Sequence, residues 1–216
     1  MKINFLFLPL LFLSAYSFQS CNNAASDNAA NKIDSSAYHD SVHTTKMQNA
    51  MSLSMSRTMD KMHDMKMTGD FDLDFANMMI LHHRAAIDMS ETEIVRGTNE
   101  QVKTMAKSII TAQNAEIGQL EGFIKNYQAP AQKMKTADMQ NMMTDMMAKM
   151  NNMELTGNTD KDFIVLMIPH HEAAVKMAQD ELTHGLQPEL KKMAQKMIMD
   201  QTNEIDQFKT WLAKQK

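Results

Sequence analysis

Apolar positions recur every three or four residues over most of the chain beyond residue 70, which is the period of an amphipathic helix. The first such stretch predicts a helix over 71–96, and Gly97 suits its end. Thr98 followed by Gln101 has the spacing of a capping box and predicts a second helix over roughly 99–126. These two helices would form one helical hairpin.

A second hairpin is predicted farther along the chain. Thr159 can cap a helix over 160–183, which Gly185 can end. Pro188 suits the first turn of a last helix over 188–214, because a proline at that position loses no intrahelical hydrogen bond.

The two hairpins belong to an internal repeat. The chain aligns with itself without a gap at a shift of 88 residues, and each unit contains a Met-rich, a His-His and a Gln-x-x-Glu segment. The Met-rich segments, roughly 44–66 and 136–154, are also helical in pattern. We therefore predict an all-α protein, in which a four-helix bundle made of two repeated helical hairpins is joined by two Met-rich helices.

The chain begins with a targeting segment. Lys2 precedes an apolar run over 3–18, which small residues follow, so residues 1–20 are predicted to be a signal peptide. Cys21, the only cysteine, follows Ser20 in an arrangement that resembles a bacterial lipobox, in which the cysteine is lipidated. Ordinary secretion with a free thiol is the alternative.

A tether and the duplicated domain follow the targeting segment. Residues 21–43 contain the lipidated cysteine and a flexible tether rich in Asn, Ala, Ser and Asp. Residues 44–216 form the duplicated helical domain, with units of about 44–127 and 132–216. We expect an exported protein of the bacterial cell envelope, facing the periplasm or held at the outer membrane, that meets the membrane only through its lipid anchor.

Composition narrows the classes of function. The 6 Gly and 4 Pro residues are too few for the many turns of a β-sandwich. With a net charge of −4 and no basic stripe, the chain is not expected to bind nucleic acid. The sequence contains no nucleophile–base constellation and no phosphate-binding glycine loop, so the enzyme classes that depend on these features are unsupported, and a single cysteine permits no disulfide framework. The outlier is methionine, with 25 copies.

Each hairpin is predicted to place a histidine, a glutamine and a glutamate at one height. When the first hairpin is folded back around Gly97, Gln113 and Glu116 come level with Met79 and His82. The second hairpin repeats this arrangement. A satisfied polar layer would explain it, because buried polar groups need partners, and so would a metal site. The candidate ligands of that site are His82, His170, Glu116 and Glu204.

Methionine is the second source of candidate ligands. A helical stripe in the second Met-rich segment contains Met139, Met143, Met146 and Met150. Core packing would explain this stripe, but thioether sulfur is also a soft ligand suited to Cu(I) and Ag(I). His83 and His171 point away from their neighbours and are expected to face a Met-rich helix or solvent. The remaining candidate ligands are Met62, His63, Met65, Met67, Met79, Met89, Met167 and Met177.

The His-His motifs resemble those of a known family. The runs Met79–Ala86 and Met167–Ala174 are similar to the signature of a family catalogued as a domain of unknown function, DUF 305. The segment Gln113–Ile117 and its repeat are similar to the second motif of that family, and the resemblance covers about 70–216. It implies a ferritin-like fold. Some members, called CopM-like, are exported copper-binding proteins linked to copper resistance, so it also implies copper as the ligand.

Three functions remain open. A non-catalytic binder of Cu(I), or of Ag(I), would sequester copper or transfer it, with a copper exporter or chaperone as partner. A metalloenzyme would instead use the His/Glu layer with Fe, Mn or Zn, which prefer oxygen and nitrogen ligands. A helical module would bind a protein partner through its flexible Met-rich face and would need no metal. An exported, Met-rich chain with almost no thiol favours the first.

Overall fold

Four long helices account for most of the described residues in the computed structural model of the protein. They are α1 (Phe71–Arg96), α2 (Glu100–Asn126), α3 (Thr159–His184) and α4 (Pro188–Ala213). The structure describes residues 64–128 and 152–215, with isolated positions between 51 and 62 and between 141 and 149. No strand occurs within these residues, so the prediction of an all-α protein is confirmed, and each of the four helices ends within one residue of its predicted bounds.

Several predicted features lie outside the described residues. They are the signal peptide, Cys21 with its tether, His63, Met139, Met143, Met146 and Met150. The described positions of the two Met-rich segments include helical ones, such as 60–62 and 144–145. In the part of the chain that the structure covers, no helix combines the length and the apolar character needed to cross a membrane.

Short polar side chains explain where the helices begin. Asp70 caps α1 and accepts a hydrogen bond from a backbone N–H of the first turn. Asn99 caps α2 and Asn158 caps α3, so the predictions that Thr98 and Thr159 are the capping residues are wrong. In both cases the asparagine side chain accepts from the N–H groups that the first turn leaves free.

Gly97 and Gly185 follow the ends of α1 and α3, as predicted. Glycine is needed there because of the space available and not because of the backbone conformation. Their φ angles are −64° and −62°, a conformation that any residue adopts. A Cβ atom on Gly97 would lie 2.0 Å from a carboxyl oxygen of Glu93, and one on Gly185 would lie 2.1 Å from a carboxyl oxygen of Glu181. Each glycine therefore leaves room for a buried glutamate at the end of its helix.

The helices pack as two antiparallel hairpins. α1 pairs with α2 and α3 pairs with α4, and the hairpins meet mainly through α1 and α3. Large apolar side chains fill the centre, among them Phe75, Phe163 and Phe208, all of which are buried. The outer helices α2 and α4 lie antiparallel on either side of a groove that residues of both helices line.

Two carboxylates join the hairpins reciprocally. Asp160 at the start of α3 and Asp72 at the start of α1 are equivalent in the repeat, and both are buried. Each accepts hydrogen bonds from two backbone N–H groups of the other hairpin's loop, which are Thr98 and Asn99 for Asp160 and Leu186 and Gln187 for Asp72. The Thr98 hydroxyl also donates to Asp160, at 2.8 Å, and so is not available to cap α2.

Candidate metal centre

Two histidine side chains meet at the centre of the bundle. His82 of α1 and His170 of α3 are fully buried, and their ring centroids lie 3.7 Å apart. None of their four ring nitrogens has a hydrogen-bond partner among the described residues. Buried polar atoms are almost always paired, so four unpaired nitrogens at one point in a core need an explanation, and a bound ion is one.

The environment keeps both imidazoles neutral. Burial lowers the pKa of His82 and of His170 well below the ordinary value, and the neighbouring histidines lower both further. A neutral imidazole carries its proton on one nitrogen and a free lone pair on the other, which is the form that binds a metal ion. The pair is therefore ready to act as a ligand without first losing a proton.

Thioether and amide groups accompany the histidines. Met79 and Met167 precede the two histidines by about one helical turn and are fully buried. Gln113 of α2 and Gln201 of α4 are also buried, and their side-chain amide atoms have no hydrogen-bond partner among the described residues. The core of the bundle thus holds soft sulfur atoms and unpaired polar atoms in equivalent positions from each hairpin.

The second histidine of each motif occupies a different environment from the first. His83 Nε2 lies 2.9 Å from Glu116 Oε2, and His171 Nε2 lies 2.8 Å from Glu204 Oε2. Both of these histidines are fully buried. The prediction that His82 is the histidine next to Glu116 is therefore wrong, as is the prediction that His83 and His171 face a Met-rich helix or solvent.

The reason for this error is geometric. Adjacent residues on a helix diverge by about 100°. α1 has two neighbours, so one histidine of each motif points across to α3 and the next points to α2 within its own hairpin. Sequence periodicity gave the inner face of α1 but not which neighbour lay against which part of it. The predicted group of His82, His170, Glu116 and Glu204 consequently separates into a central histidine pair and two His–Glu pairs.

The other candidate methionines lie elsewhere in the core. Met89 and Met177 are fully buried, about two turns beyond the central histidines. Met62 is buried, and Met65 and Met67 are half-buried against the core. Among the described residues, no three or more His, Cys, Asp and Glu side chains are grouped to hold a metal ion. A centre built on the two central histidines would need thioether or amide ligands to complete it.

A buried acid at each end of the bundle was not identified from the sequence. Glu93 and Glu181 are fully buried. Burial raises the pKa of Glu93 to about 9, with a further contribution from Asp160, and burial and Asp72 do the same for Glu181. The three-four spacing of the first helix reaches position 93 and the repeat makes Glu181 its equivalent, but neither signal shows that a carboxyl group there is fully buried.

Comparison with known proteins gives a family match over most of the chain. The model of a family described as a domain of unknown function, DUF305, matches residues 19–124 and again residues 72–212. A search of curated proteins finds no significant match.

Solved structures share the fold. The silver-bound form of CopM obtained by co-crystallization is 31% identical, with 66% of this chain and 96% of that chain covered and a TM-score of 0.50. The Cu(I)-bound form of CopM is 30% identical, with the same coverage and a TM-score of 0.51. A DUF305 protein from Streptomyces coelicolor, described as secreted, is 23% identical. The match covers 68% of this chain and 95% of that chain, with a TM-score of 0.54.

Proposed function

The chain belongs to the DUF305 family, and from that premise we propose that it is an exported protein that binds Cu(I) or Ag(I), sequestering the ion or transferring it in copper tolerance. The observation that carries the proposal is the central pair of His82 and His170, whose four ring nitrogens have no partner in the described part of the chain. Structures of CopM with silver, Cu(I) and Cu(II) bound support a metal ion as the ligand.

The chemistry of the core favours a soft, monovalent ion. Thioether sulfur and neutral imidazole nitrogen suit Cu(I) and Ag(I). Met79 and Met167 supply the sulfur atoms and the central histidines supply the nitrogen atoms, and none of these groups carries a charge. A divalent ion would bring two positive charges into a core whose nearest carboxylates, Glu116 and Glu204, are already paired with histidines.

Further ligands in the Met-rich segments are part of the proposal. His63 and the stripe Met139, Met143, Met146 and Met150 have donor atoms suited to the same ions, and so do Met62, Met65 and Met67. We also propose that Cys21 is lipidated and anchors the chain in the cell envelope. Export supports methionine as the ligand, because a thioether tolerates an oxidising compartment better than a thiol does.

Anaerobic titration of residues 22–216 with Cu(I) against a chromogenic chelator tests the proposal. The wild-type protein is expected to compete for Cu(I), and a variant with His82→Leu and His170→Leu is expected to lose the tightest binding. In a matched variant, Met139, Met143, Met146 and Met150 are all changed to Leu. Comparison of the two variants shows how much of the Cu(I) binding depends on the core and how much depends on the Met-rich segment.

Parallel titrations with Zn(II) and Fe(II) separate the alternatives. Failure of the wild-type protein to compete for Cu(I) would overturn the proposal. Retained Zn(II) or Fe(II) binding that depended on Glu116 and Glu204 would then favour a metalloenzyme. Unchanged Cu(I) affinity in the variant without the two core histidines would move the site to the Met-rich segments.

A further inference from the structure

The two His–Glu pairs differ in their exposure to solvent. The Glu116 side chain is 7% exposed, and Lys196 of α4 reaches across to it, with Nζ 3.6 Å from Oε1. The Glu204 side chain is 20% exposed and lines the groove between α2 and α4. The repeat places Ser108 where Lys196 stands, and the Ser108 hydroxyl donates to a carbonyl of its own helix. Glu116 is therefore covered by a lysine, and Glu204 is not.

The residues that line the groove also differ in charge between the Glu204 side and the Glu116 side. Asp200 and Glu204 line the part beside Glu204, and neither lysine nor arginine is among the described residues that line it. Asp200 is paired with Lys196 one turn away, so Glu204 is the carboxylate of this part with no lysine or arginine partner among the described residues. Lys192 and Lys196, with Glu189, line the part beside Glu116. A cleft with negative walls raises the local concentration of cations, and one with positive walls lowers it. Lysine charge therefore opposes a cation less on the Glu204 side than on the Glu116 side.

Polar groups connect the Glu204 side to the centre of the bundle. Glu204 Oε2 lies 2.8 Å from His171 Nε2, the rings of His171 and His170 are 6.0 Å apart, and the rings of His170 and His82 are 3.7 Å apart. The second ring nitrogen of His171 has no partner among the described residues. An ion bound at Glu204 would therefore have further electron-pair donors in the rings of His171, His170 and His82, in that order toward the core.

We propose that a monovalent soft cation enters the buried His82–His170 pair from the groove at Glu204, and that Lys196 closes the equivalent route at Glu116. This inference rests on the proposed function, because it concerns the path to the same site. The half-buried thioether of Met105 lines the groove beside Glu204 and provides a first soft contact. No covalent bond is broken and no oxidation state changes along the route, since each coordination bond that the ion gives up is replaced by one to the next neutral or carboxylate ligand.

A charge swap between equivalent positions tests the route. Ser108→Lys places a lysine beside Glu204 as Lys196 stands beside Glu116, on an exposed helical position that tolerates it. Residues 22–216 are mixed with a Cu(I)–chelator complex, and both the rate of Cu(I) uptake and the final partition are recorded. We expect Ser108→Lys to slow uptake by about tenfold with little change in the partition.

Two further variants separate charge from steric effects and one route from the other. Ser108→Gln adds length without charge and is expected to slow uptake much less than Ser108→Lys. Lys196→Ser opens the Glu116 side, and in the Ser108→Lys background it is expected to restore the rate. An unchanged rate in Ser108→Lys would overturn the route while leaving the copper-binding function intact. No uptake by the wild-type protein would overturn both.

Discussion

The buried carboxyl group of Glu93 interacts with the carboxylate of Asp160 in the other hairpin. Burial raises the pKa of Glu93 to about 9, so this glutamate keeps its proton at neutral pH. Burial alone would raise the pKa of Asp160 as well. The N–H of Asn99 and the proton of Glu93 outweigh that effect and hold the pKa of Asp160 below its usual value. A protonated glutamate thus lies near an aspartate of the other hairpin at each end of the bundle, since Glu181 and Asp72 repeat the arrangement.

Because Glu93 and Glu181 have raised pKa values, the protein is predicted to lose stability toward alkaline pH. Between the ordinary glutamate pKa of 4.5 and the raised value of about 9, the folded state holds a proton on Glu93 that the unfolded state lacks. The free energy of unfolding must therefore fall as the pH rises through this range. The lowered pKa values of His82 and His170 have the opposite effect below their ordinary value of 6.5, so the fall is best measured between pH 7 and pH 9. Urea unfolding at several pH values measures it.

Glu93→Gln isolates the contribution of one carboxyl group. The amide does not titrate, so the fall in stability between pH 7 and pH 9 should shrink by roughly half if Glu93 and Glu181 contribute equally. Glu181→Gln in the same chain should remove most of the remainder. Glu91→Gln, at an exposed position of the same helix, is the matched control. A pH dependence of stability in the double variant as steep as in the wild type would contradict the raised pKa values of Glu93 and Glu181.

The reciprocal aspartates are predicted to hold the hairpins together. Asp160→Ala leaves the N–H groups of Thr98 and Asn99 unpaired and removes a negative charge from the start of α2, so it should cost roughly 3 kcal/mol of unfolding free energy. Asp72→Ala should cost a similar amount, because Asp72 makes the equivalent contacts. Urea unfolding measures both, and Asp88→Ala, on the exposed face of α1, is the control. Equal stability of Asp160→Ala and Asp88→Ala would show that the hydrogen bonds of Asp160 to the other hairpin contribute little to the free energy of unfolding.

Two glycines, one directly after α1 and one inside α2, should respond to alanine in opposite directions. At Gly97 a Cβ atom would lie 2.0 Å from Glu93, so Gly97→Ala must displace the buried carboxyl group and lower stability. At Gly122, inside α2, nothing lies within 4 Å of an added Cβ, and Gly122→Ala should stabilise the protein by about 0.5–1 kcal/mol. Thermal unfolding of the two variants checks the signs. A stabilising Gly97→Ala would mean that Glu93 moves freely.

Local features of the fold were predictable from the sequence, and contacts between hairpins were not. The helix period and the end signals determine α1 to α4 within one residue, since they depend on neighbours along the chain. Thr98 was misassigned as a cap because its hydroxyl bonds instead to Asp160, 62 residues away. The buried acids Glu93 and Glu181 escaped notice for the same reason, since only the packed structure shows that each lies against an aspartate of the other hairpin.

The candidate site was predicted in its residue types but not in its pairing. The repeat and the helical spacing selected His82, His170, Glu116 and Glu204 as members of one layer. Which histidine meets which carboxylate depends on the rotation of α1 between α2 and α3, and a pattern of period 3.6 does not determine that rotation when both faces are buried. A motif with two adjacent buried histidines therefore signals two neighbouring helices, one for each ring.

Replacement of the core methionines separates packing from ion binding. Leu has nearly the volume of Met, so Met79→Leu with Met167→Leu should change the free energy of unfolding by less than about 1.5 kcal/mol per site. If the two thioethers bind the ion beside His82 and His170, Cu(I) affinity should fall about tenfold or more in the chelator competition, because leucine has no lone pair. Met89→Leu with Met177→Leu, equally buried but two turns away, is the matched control and should leave the affinity unchanged. Equal affinities in the two double variants would assign Met79 and Met167 to packing alone and leave the central histidines to bind the ion with other partners.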